Sequence, residues 1–477
     1  MRRTVRFQLR YHYTPSKALS QPLRAFAARQ TGAIQLGRMF RVRHAQTGQK
    51  ECDSDMNPFD QKPMSVERTF ESFSELYPRP YDPKAVDPYT KCRIILMNGT
   101  EFEAVKFSHQ AERHIEDADL RRELAMARRT EQQQQKKIAN LKPIGETILE
   151  HTIAYEQLAV DLTAHLAKRV ATDREKAALD LALLEDFDHL YRYSDLLEMD
   201  TGEHAERLVG RYTEIMPGRP TISEHRFPKD GIPTPIDRDA PLFDKLAACI
   251  ITAAEQQTMN YYMNTTGFYG NDLGRKLYQE IGMIEEQHVT QYEALQDPNL
   301  TWLQSLLMHE YTECYLYWSC EQTETDEHVR AIWARHLEQE IAHLHKAAEL
   351  LERYEGMHWQ QLIPEPAFPE PLRLESNIGY VRAALLSAQL TYKDHAPMPV
   401  QELSGTDPFF IYQNAVHTKL DHVASHAVID QAIASMGHDY RFELSPHPVT
   451  ELQPREHDNT QIGRDPHIPG YTGVMPG

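Results

Sequence analysis

The chain has 477 residues, with 51 Lys or Arg against 70 Asp or Glu and a net charge of −19 at pH 7. This length suffices for two or three domains with their own cores. Because no run of eighteen apolar residues occurs, no membrane-spanning helix is expected. The acidic balance also disfavours nucleic acid as a partner, since its phosphates would be repelled.

Residues 1–50 form a basic N-terminal extension with eleven Lys or Arg and no Asp or Glu, so the other 427 residues carry a net charge of −30. This composition is typical of an organellar transit peptide; a basic arm or a misassigned start are the alternatives. The five scattered cysteines suit a reducing compartment. We therefore expect a cytoplasmic protein in a prokaryote, and one of the mitochondrial matrix in a eukaryote.

Residues 51–144 are predicted to hold an extended linker, a small β-hairpin and an exposed helix. The Pro-rich stretch from Cys52 to Asp87 is aperiodic. Two short stretches, 93–97 and 100–107, flank an Asn98-Gly99 pair, which predicts a two-residue β-turn. The glutamine-rich stretch 115–139 predicts an exposed helix or a short coiled-coil arm.

Helical patterns dominate the rest of the chain. Residues 145–201 form one helical hairpin, 202–241 a Pro- and Gly-rich crossover, and 242–356 two further hairpins. Residues 357–477 comprise a Pro-rich linker, two helices at 378–391 and 409–433, and an irregular tail. We expect the hairpin of residues 145–201 to pair with residues 375–440 as a divergent copy of the bundle at 242–356.

The stretch 242–356 contains one pattern twice, E-x6-Y-x22-E-x-x-H. Its two copies are Glu255, Tyr262, Glu285, His288 and Glu310, Tyr317, Glu340, His343. In each copy the two glutamates lie about fifteen residues from the middle of a turn, so at 1.5 Å per residue both reach about 22 Å along the hairpin. Two such hairpins packed together would place four carboxylates and two imidazoles in one layer.

This layer predicts a metal centre. Charged residues three apart are usually a solvated helix face, but two tandem copies with a turn at each midpoint are hard to explain in that way. Four glutamates and two histidines form the ligand set of carboxylate-bridged di-iron and di-manganese bundles. Without cations, burial of so much negative charge would be very costly. We therefore expect two Fe or Mn ions per central bundle.

The hairpin at 145–201 repeats part of the pattern with Glu156, Asp186 and His189 at the same intervals, and Thr163 replaces the tyrosine. His422 and His426 share one face of a C-terminal helix. These five ionisable residues are a candidate second metal site. The alternatives are a spacing kept only for folding and a metal-free, histidine-rich packing face.

The repeated pattern resembles the ferritin-like superfamily, in particular its rubrerythrin-like and other di-iron carboxylate members. The resemblance implies an all-α, ferritin-like four-helix bundle, here duplicated and decorated by the small β-hairpin. It implies as metal ligands Glu255, Glu285, His288, Glu310, Glu340 and His343. Glu313 resembles the additional glutamate of rubrerythrins that exchanges on and off an iron. The Tyr-to-Glu interval is shorter than in classical ferritins, and the Cys-x-x-Cys module of rubrerythrins is absent from this sequence.

The expected function is a non-haem di-metal oxidoreductase acting on O2 or peroxide. Tyr262 and Tyr317 are its candidate catalytic tyrosines, which hydrogen-bond ligand carboxylates or lend an electron. One alternative is a ferroxidase that stores or delivers iron, and another is a structural subunit with an inert site. We expect a homo-oligomer or a subunit of a larger assembly. No residues that bind an organic cofactor are predicted, and no motif identifies the electron donor.

Overall fold

The computed structural model describes residues 56–210, 212–215, 225–385, 390–417 and 423–438. Over these ranges the protein is mostly helical, with one two-stranded antiparallel sheet. The basic N-terminal extension, residues 216–224 of the predicted crossover, His422 and the predicted tail beyond residue 438 lie outside the described residues.

Eight of the helices are long and form four antiparallel hairpins of consecutive helices. The helices are, in chain order, α1 Pro88–Arg113, α2 Ala118–Ala139, α3 Ile148–Arg169, α4 Asp173–Thr201, α5 Ala205–Leu208, α6 Leu242–Thr265, α7 Asp272–Glu293, α8 Trp302–Thr323, α9 Glu327–Glu355, α10 Ile378–Ala384, α11 Pro408–His417 and α12 Ala424–Met436.

Local sequence signals explain where these helices begin and end. The side chain of Asp87 accepts a hydrogen bond from the Tyr89 N–H at 2.9 Å, and Pro88 follows at the first helical position, where no N–H is needed. At the start of α3, Thr147 and Glu150 form a reciprocal capping box. Helix α9 is followed by Gly356, whose φ of 65° is the left-handed conformation that glycine adopts at low cost.

The hairpins pack in two groups of four helices. In group I, the α3–α4 hairpin packs against α6–α7; in group II, the α1–α2 hairpin packs against α8–α9. Helix α1 joins the groups because it also packs along α6 and α3. At the α1–α6 crossing, a Cβ on Gly99 would lie 2.8 Å from Cβ of Gln257 and 3.1 Å from the Ala253 carbonyl oxygen. Glycine is therefore needed for this close approach.

The predicted β-hairpin at 93–107 is wrong, since this stretch lies within α1. Residues 94–97 are all buried because α1 is covered by both groups, and a short continuous apolar run does not distinguish a strand from a buried helix. The glycine of the Asn98-Gly99 pair serves the helix crossing instead of a turn. The described strands are β1 Leu390–Lys393 and β2 Ala396–Pro399, with Leu390 opposite Pro399.

Two predicted arrangements of helices also differ from the structure. The stretch read as an exposed helix arm is α2, which buries Leu120, Leu124 and Ile138 in group II. Residues 242–356 are not a complete bundle, because each of their hairpins pairs with an earlier one. Helices α10 and α12 contact the outside of group I, at α3 and α4 and at α4 and α7 respectively. Among the described helices, none is both long and apolar enough to cross a bilayer.

Candidate metal centres

All four long hairpins carry the same interval of polar residues in the protein interior. An acid on the first helix is followed thirty residues later by a second acid, and thirty-three residues later by His or Gln. The four sets are Glu101, Glu131, Gln134; Glu156, Asp186, His189; Glu255, Glu285, His288; and Glu310, Glu340, His343, all buried. The first set is not among the predicted ligands, although its spacing matches the others. Gln134 replaces the histidine, and the predicted β-hairpin at 93–107 places Glu101 in a strand.

Group I brings together six of these residues, which we call site I: Glu156, Asp186, His189, Glu255, Glu285 and His288. His288 Nδ1 lies 3.1 Å from Glu285 Oε2, 3.3 Å from Asp186 Oδ1 and 3.6 Å from Glu255 Oε2. A second cluster of possible ligand atoms in site I comes from Glu156, His189 and Glu285. Both hairpins of group I therefore contribute carboxylates and an imidazole.

Glu285 lies between the two imidazoles of site I. Its Oε1 atom is 3.0 Å from His189 Nδ1, and its Oε2 atom is 3.1 Å from His288 Nδ1. The carboxylate thus presents one oxygen to each half of the site. This is the arrangement expected of a carboxylate that bridges two cations, each of which also has its own histidine.

A buried polar chain holds the far side of His288. Its Nε2 atom lies 2.6 Å from Glu185 Oε2, and Arg226 Nη2 donates to the same oxygen at 2.7 Å. Arg226 also donates through Nη1 to Gln291, whose Nε2 donates to the Ala178 carbonyl oxygen at 2.9 Å. A carboxylate beside Nε2 keeps the proton on that nitrogen, so that the lone pair of Nδ1 can bind a metal ion. Neither Glu185 nor Arg226 was predicted, because no sequence interval links them to His288.

Tyr262 also belongs to site I. Its hydroxyl donates to Glu156 Oε1 at 2.5 Å, from α6 across to the acid of the α3–α4 hairpin. Thr163, which replaces the tyrosine in that hairpin, donates to Asp186 Oδ2 at 3.3 Å. The predicted role of Tyr262 as a hydrogen-bond donor to a candidate ligand carboxylate therefore fits the observed contact.

Burial and mutual repulsion change the protonation of site I. Burial raises the pKa of Glu255 to about 8, and burial together with neighbouring carboxylates raises those of Glu156 and Asp186 well above the usual range. Burial opposes the charged form of His288, but Asp186, Glu185, Glu255 and Glu285 outweigh it and raise its pKa. Without a cation, site I therefore holds protons that a bound metal would displace.

Group II brings together seven residues, which we call site II: Glu101, Glu131, Gln134, Glu310, Glu313, Glu340 and His343. His343 Nδ1 lies 2.8 Å from Glu131 Oε1, 3.1 Å from Glu340 Oε2 and 3.9 Å from Glu310 Oε2. Glu101, Glu131 and Glu313 form a second cluster of oxygens beside these four residues. Site II therefore repeats the two-part layout of site I.

One imidazole of site I is replaced by an amide in site II. Gln134 Nε2 donates to Glu340 Oε1, the position that His189 Nδ1 has against Glu285 Oε1 in site I. A carboxylate is added: Glu313 lies with Glu101 and Glu131, while Thr258 holds the corresponding place in group I. Neither Glu313 oxygen has a hydrogen-bond partner among the described residues. Site II is consequently richer in carboxylate and poorer in imidazole.

Tyr317 reproduces in site II the contact of Tyr262. Its hydroxyl donates to Glu101 Oε1, again across to the acid of the neighbouring hairpin, and lies 3.2 Å from His336 Nδ1. Burial lowers the pKa of His336 well below its usual value, so its ring is neutral. Tyr262 and Tyr317 thus each donate to the first acid of the other hairpin in their own group.

Site II has the same electrostatic character as site I. Burial and neighbouring carboxylates raise the pKa values of Glu101, Glu310 and Glu313 well above the usual range. Burial opposes protonation of His343, but Glu340 and Glu131 outweigh it and raise its pKa. This site too binds protons in the absence of a cation.

The predicted ligands are therefore present but grouped differently. Glu255, Glu285 and His288 lie in site I, whereas Glu310, Glu340 and His343 lie in site II with Glu313; the predicted single layer is wrong. Site I contains Glu156, Asp186 and His189 of the predicted second site. The other ligands of this site come from α6–α7, and not from the C-terminal helices as predicted. His426 is half-buried on α12 and belongs to no metal-capable group found among the described residues.

Comparisons with protein-family models, with curated proteins and with solved structures found no match to this chain.

Proposed function

We propose that the protein is a ferritin-like, di-metal carboxylate oxidoreductase with two centres per chain that acts on O2 or peroxide. The observation that carries this proposal is the position of Glu285, with one oxygen 3.0 Å from His189 Nδ1 and the other 3.1 Å from His288 Nδ1. An arrangement that serves only packing has no need of a carboxylate shared between two buried imidazoles.

The residues of site I fit two cations. His189 and Glu156 would hold one ion, and His288, Glu255 and Asp186 the other, with Glu285 shared. Neither Glu255 oxygen, nor Oε2 of Glu156, has a hydrogen-bond partner within the described part of the chain. Buried carboxyl oxygens almost always have a hydrogen-bond partner. Divalent Fe or Mn would satisfy these oxygens and suits mixed carboxylate and imidazole ligands.

The residues of site II fit cations as well, with a different ligand balance. Glu131, Glu310, Glu340 and His343 would hold one ion, and Glu101 and Glu313 the other, with Glu131 shared. Carboxylate oxygens suit Mn and other hard cations, whereas imidazole favours Fe. We therefore propose that the two centres differ in metal preference, with site II the more tolerant of Mn.

Bound redox metals would supply the electrons for reduction of O2 or peroxide. The chain's own residues bind and position: Glu185 keeps the His288 ring in one tautomer, and Tyr262 and Tyr317 donate hydrogen bonds to Glu156 and Glu101. Burial of both sites excludes bulk water from these groups.

Metal content of the purified chain tests this proposal. Elemental analysis should find up to four Fe or Mn per chain, and Glu285→Gln should remove those of site I while leaving those of site II. Glu286→Gln is the matched control, since Glu286 is the exposed neighbour on the same helix. Equal metal content in all three proteins would overturn the assignment of site I.

A second candidate function is iron handling, in which both centres oxidise iron for storage or delivery. The presence of two centres in one chain favours it, because such a chain could hold twice as many ions as a single-centre subunit. This function predicts a hollow oligomer that retains many more than four irons per chain after aerobic loading. A particle with at most four irons per chain supports the oxidoreductase instead.

A further inference from the structure

A cavity of about 370 Å³ lies between α1, α6 and α8, beside the segment 236–240. Its apolar lining includes Phe107, Leu242, Ala248 and Met308, and the half-buried thiol Cys249 is also part of the wall. This volume is within the range of pockets that enclose a small organic molecule. The metal centres do not account for the cavity, because none of their residues lines it.

One layer of side chains separates this cavity from site II. The rings of Phe107 and His309 are stacked, with centroids 5.1 Å apart and an interplanar angle of 11°. Glu103 holds the layer in place, with its Oε2 atom 2.8 Å from His309 Nε2. Both rings also line a narrow crevice of about 20 Å³, large enough for a water-sized molecule, whose wall includes Glu131, Glu310 and His343 of site II.

The charge of the cavity wall restricts what can bind. Five carboxylates line it, Glu103, Asp237, Asp239, Asp297 and Glu365, against three basic side chains, Arg238, Lys245 and His309. The whole chain is also acidic. An anionic ligand would therefore meet net repulsion at the mouth, whereas a neutral or cationic group would not.

We propose that this cavity binds a small organic molecule with an apolar body and a neutral or cationic head, one side-chain layer from site II. The apolar body would contact Phe107, Leu242 and Met308, and the head would face the acidic rim at Asp237 and Asp239. That this molecule is the substrate of site II rests on the proposed function; that the cavity binds it does not. O2 or peroxide, which is water-sized, would reach the metal ligands by the crevice.

Cys249 provides a direct probe of occupancy. Burial raises the pKa of this thiol to about 12, so its alkylation by iodoacetamide is slow and can be followed over hours at pH 8.5. The other described cysteines, Cys92, Cys314 and Cys320, are buried away from this wall. Peptide mass spectrometry of the metal-free, full-length chain would give the alkylation rate of Cys249 alone.

The probe is 4-phenylbutylamine, with 4-phenylbutyrate as its anionic counterpart of the same shape. The amine should slow alkylation of Cys249 at least fivefold at saturation, and the acid should change it less than twofold. Asp239→Lys, at the exposed rim, should weaken protection by the amine; Glu402→Lys, an exposed site outside the lining, should not. Equal alkylation with and without the amine would overturn the proposal, as would equal protection by both probes.

This experiment separates the cavity from the metal centres because it needs no metal. Protection of Cys249 in a chain that never binds Fe or Mn would support the cavity and contradict the di-metal function. Normal metal loading without protection of Cys249 would support the di-metal function and contradict ligand binding in the cavity.

Discussion

Gln134 in site II takes the place that His189 has in site I. Each side chain projects from the second helix of its hairpin and contacts Oε1 of a glutamate, Gln134 that of Glu340 and His189 that of Glu285. The remaining partners match as well, since His343 and His288 both present Nδ1 to the other oxygen of that glutamate. The two sites are thus versions of one arrangement: site II has the added carboxylate of Glu313, and its Gln134 replaces an imidazole.

This difference leads to the first prediction. Gln134→His should increase the affinity of site II for Fe by roughly an order of magnitude, about 1.4 kcal/mol, because an imidazole replaces an amide at a ligand position. Competition with a calibrated chelator would measure it, with site I removed by Glu285→Gln. Gln135→His, one residue along α2, is the control, and an equal gain in both variants would show that the histidine acts elsewhere.

The contact between Glu185 and His288 Nε2 leads to the second prediction. Glu185→Gln should lower metal affinity at site I by about 10- to 100-fold, the usual effect of removing a carboxylate that orients a ligand histidine. Site II should be unaffected. Because Arg226 loses its charged partner, urea unfolding of the metal-free variant should be measured beside metal binding. An unchanged affinity in a folded variant would contradict the orienting role of Glu185.

Proton release is the third prediction. The raised pKa values of Glu255, Glu156, Asp186 and His288 mean that metal-free site I binds protons at neutral pH. Cations require the deprotonated ligands, so binding should release protons and weaken as pH falls below about 8, the pKa of Glu255. Calorimetry in two buffers of different ionisation enthalpy measures the released protons. A metal affinity that stays the same between pH 6 and pH 8 would contradict the predicted weakening of metal binding at lower pH.

The pKa shifts also predict how the metal-free fold responds to pH. A carboxyl whose folded pKa is raised binds its proton more tightly in the folded than in the unfolded chain. The stability of the metal-free protein should therefore fall as pH rises through the range from about 4.5 to 8, and metal should restore it. Chemical unfolding with and without Mn at pH 6 and pH 8 would reveal this reversal.

The fifth prediction concerns the crossing of α1 and α6. Gly99→Ala places a Cβ 2.8 Å from Cβ of Gln257 and 3.1 Å from the Ala253 carbonyl oxygen, so the helices must separate. We expect a loss of about 1–3 kcal/mol in the free energy of unfolding, typical of overpacking. At Gly145 an added Cβ meets nothing within 4 Å, so Gly145→Ala should be nearly neutral by the same urea titration.

The spacing of residues along the sequence predicts features within one hairpin, but not the contacts between hairpins. The interval Glu255, Glu285, His288 and its copy at Glu310 predicted the helical hairpins, the depth of the acids and their burial. The interval is local, so it says nothing about which hairpins face each other. Two neighbouring hairpins along the chain were expected to share one site, yet each pairs with an earlier hairpin.

Other features of the sites depend on tertiary contacts that leave no periodic signal. Residues 89–97 of α1 are all buried, so this apolar run lacks the helical period that would have revealed Glu101. Arg226 reaches Glu185 from the Pro-rich crossover, whose sequence has no periodic pattern that predicts this contact. The interval from Glu101 to Glu131 and Gln134 is present in the sequence, and it identifies the α1–α2 hairpin as another copy of the repeat.

The most direct test of the account is anomalous X-ray diffraction from crystals grown with Fe, collected on both sides of the iron edge. The account predicts two pairs of anomalous peaks in each chain. One pair should lie on either side of Glu285, beside His189 and His288. The other pair should lie in site II, with one peak among Glu310, Glu340 and His343 and one beside Glu101 and Glu313. Crystals of iron-treated protein with no anomalous peak beside Glu285 would contradict the central claim.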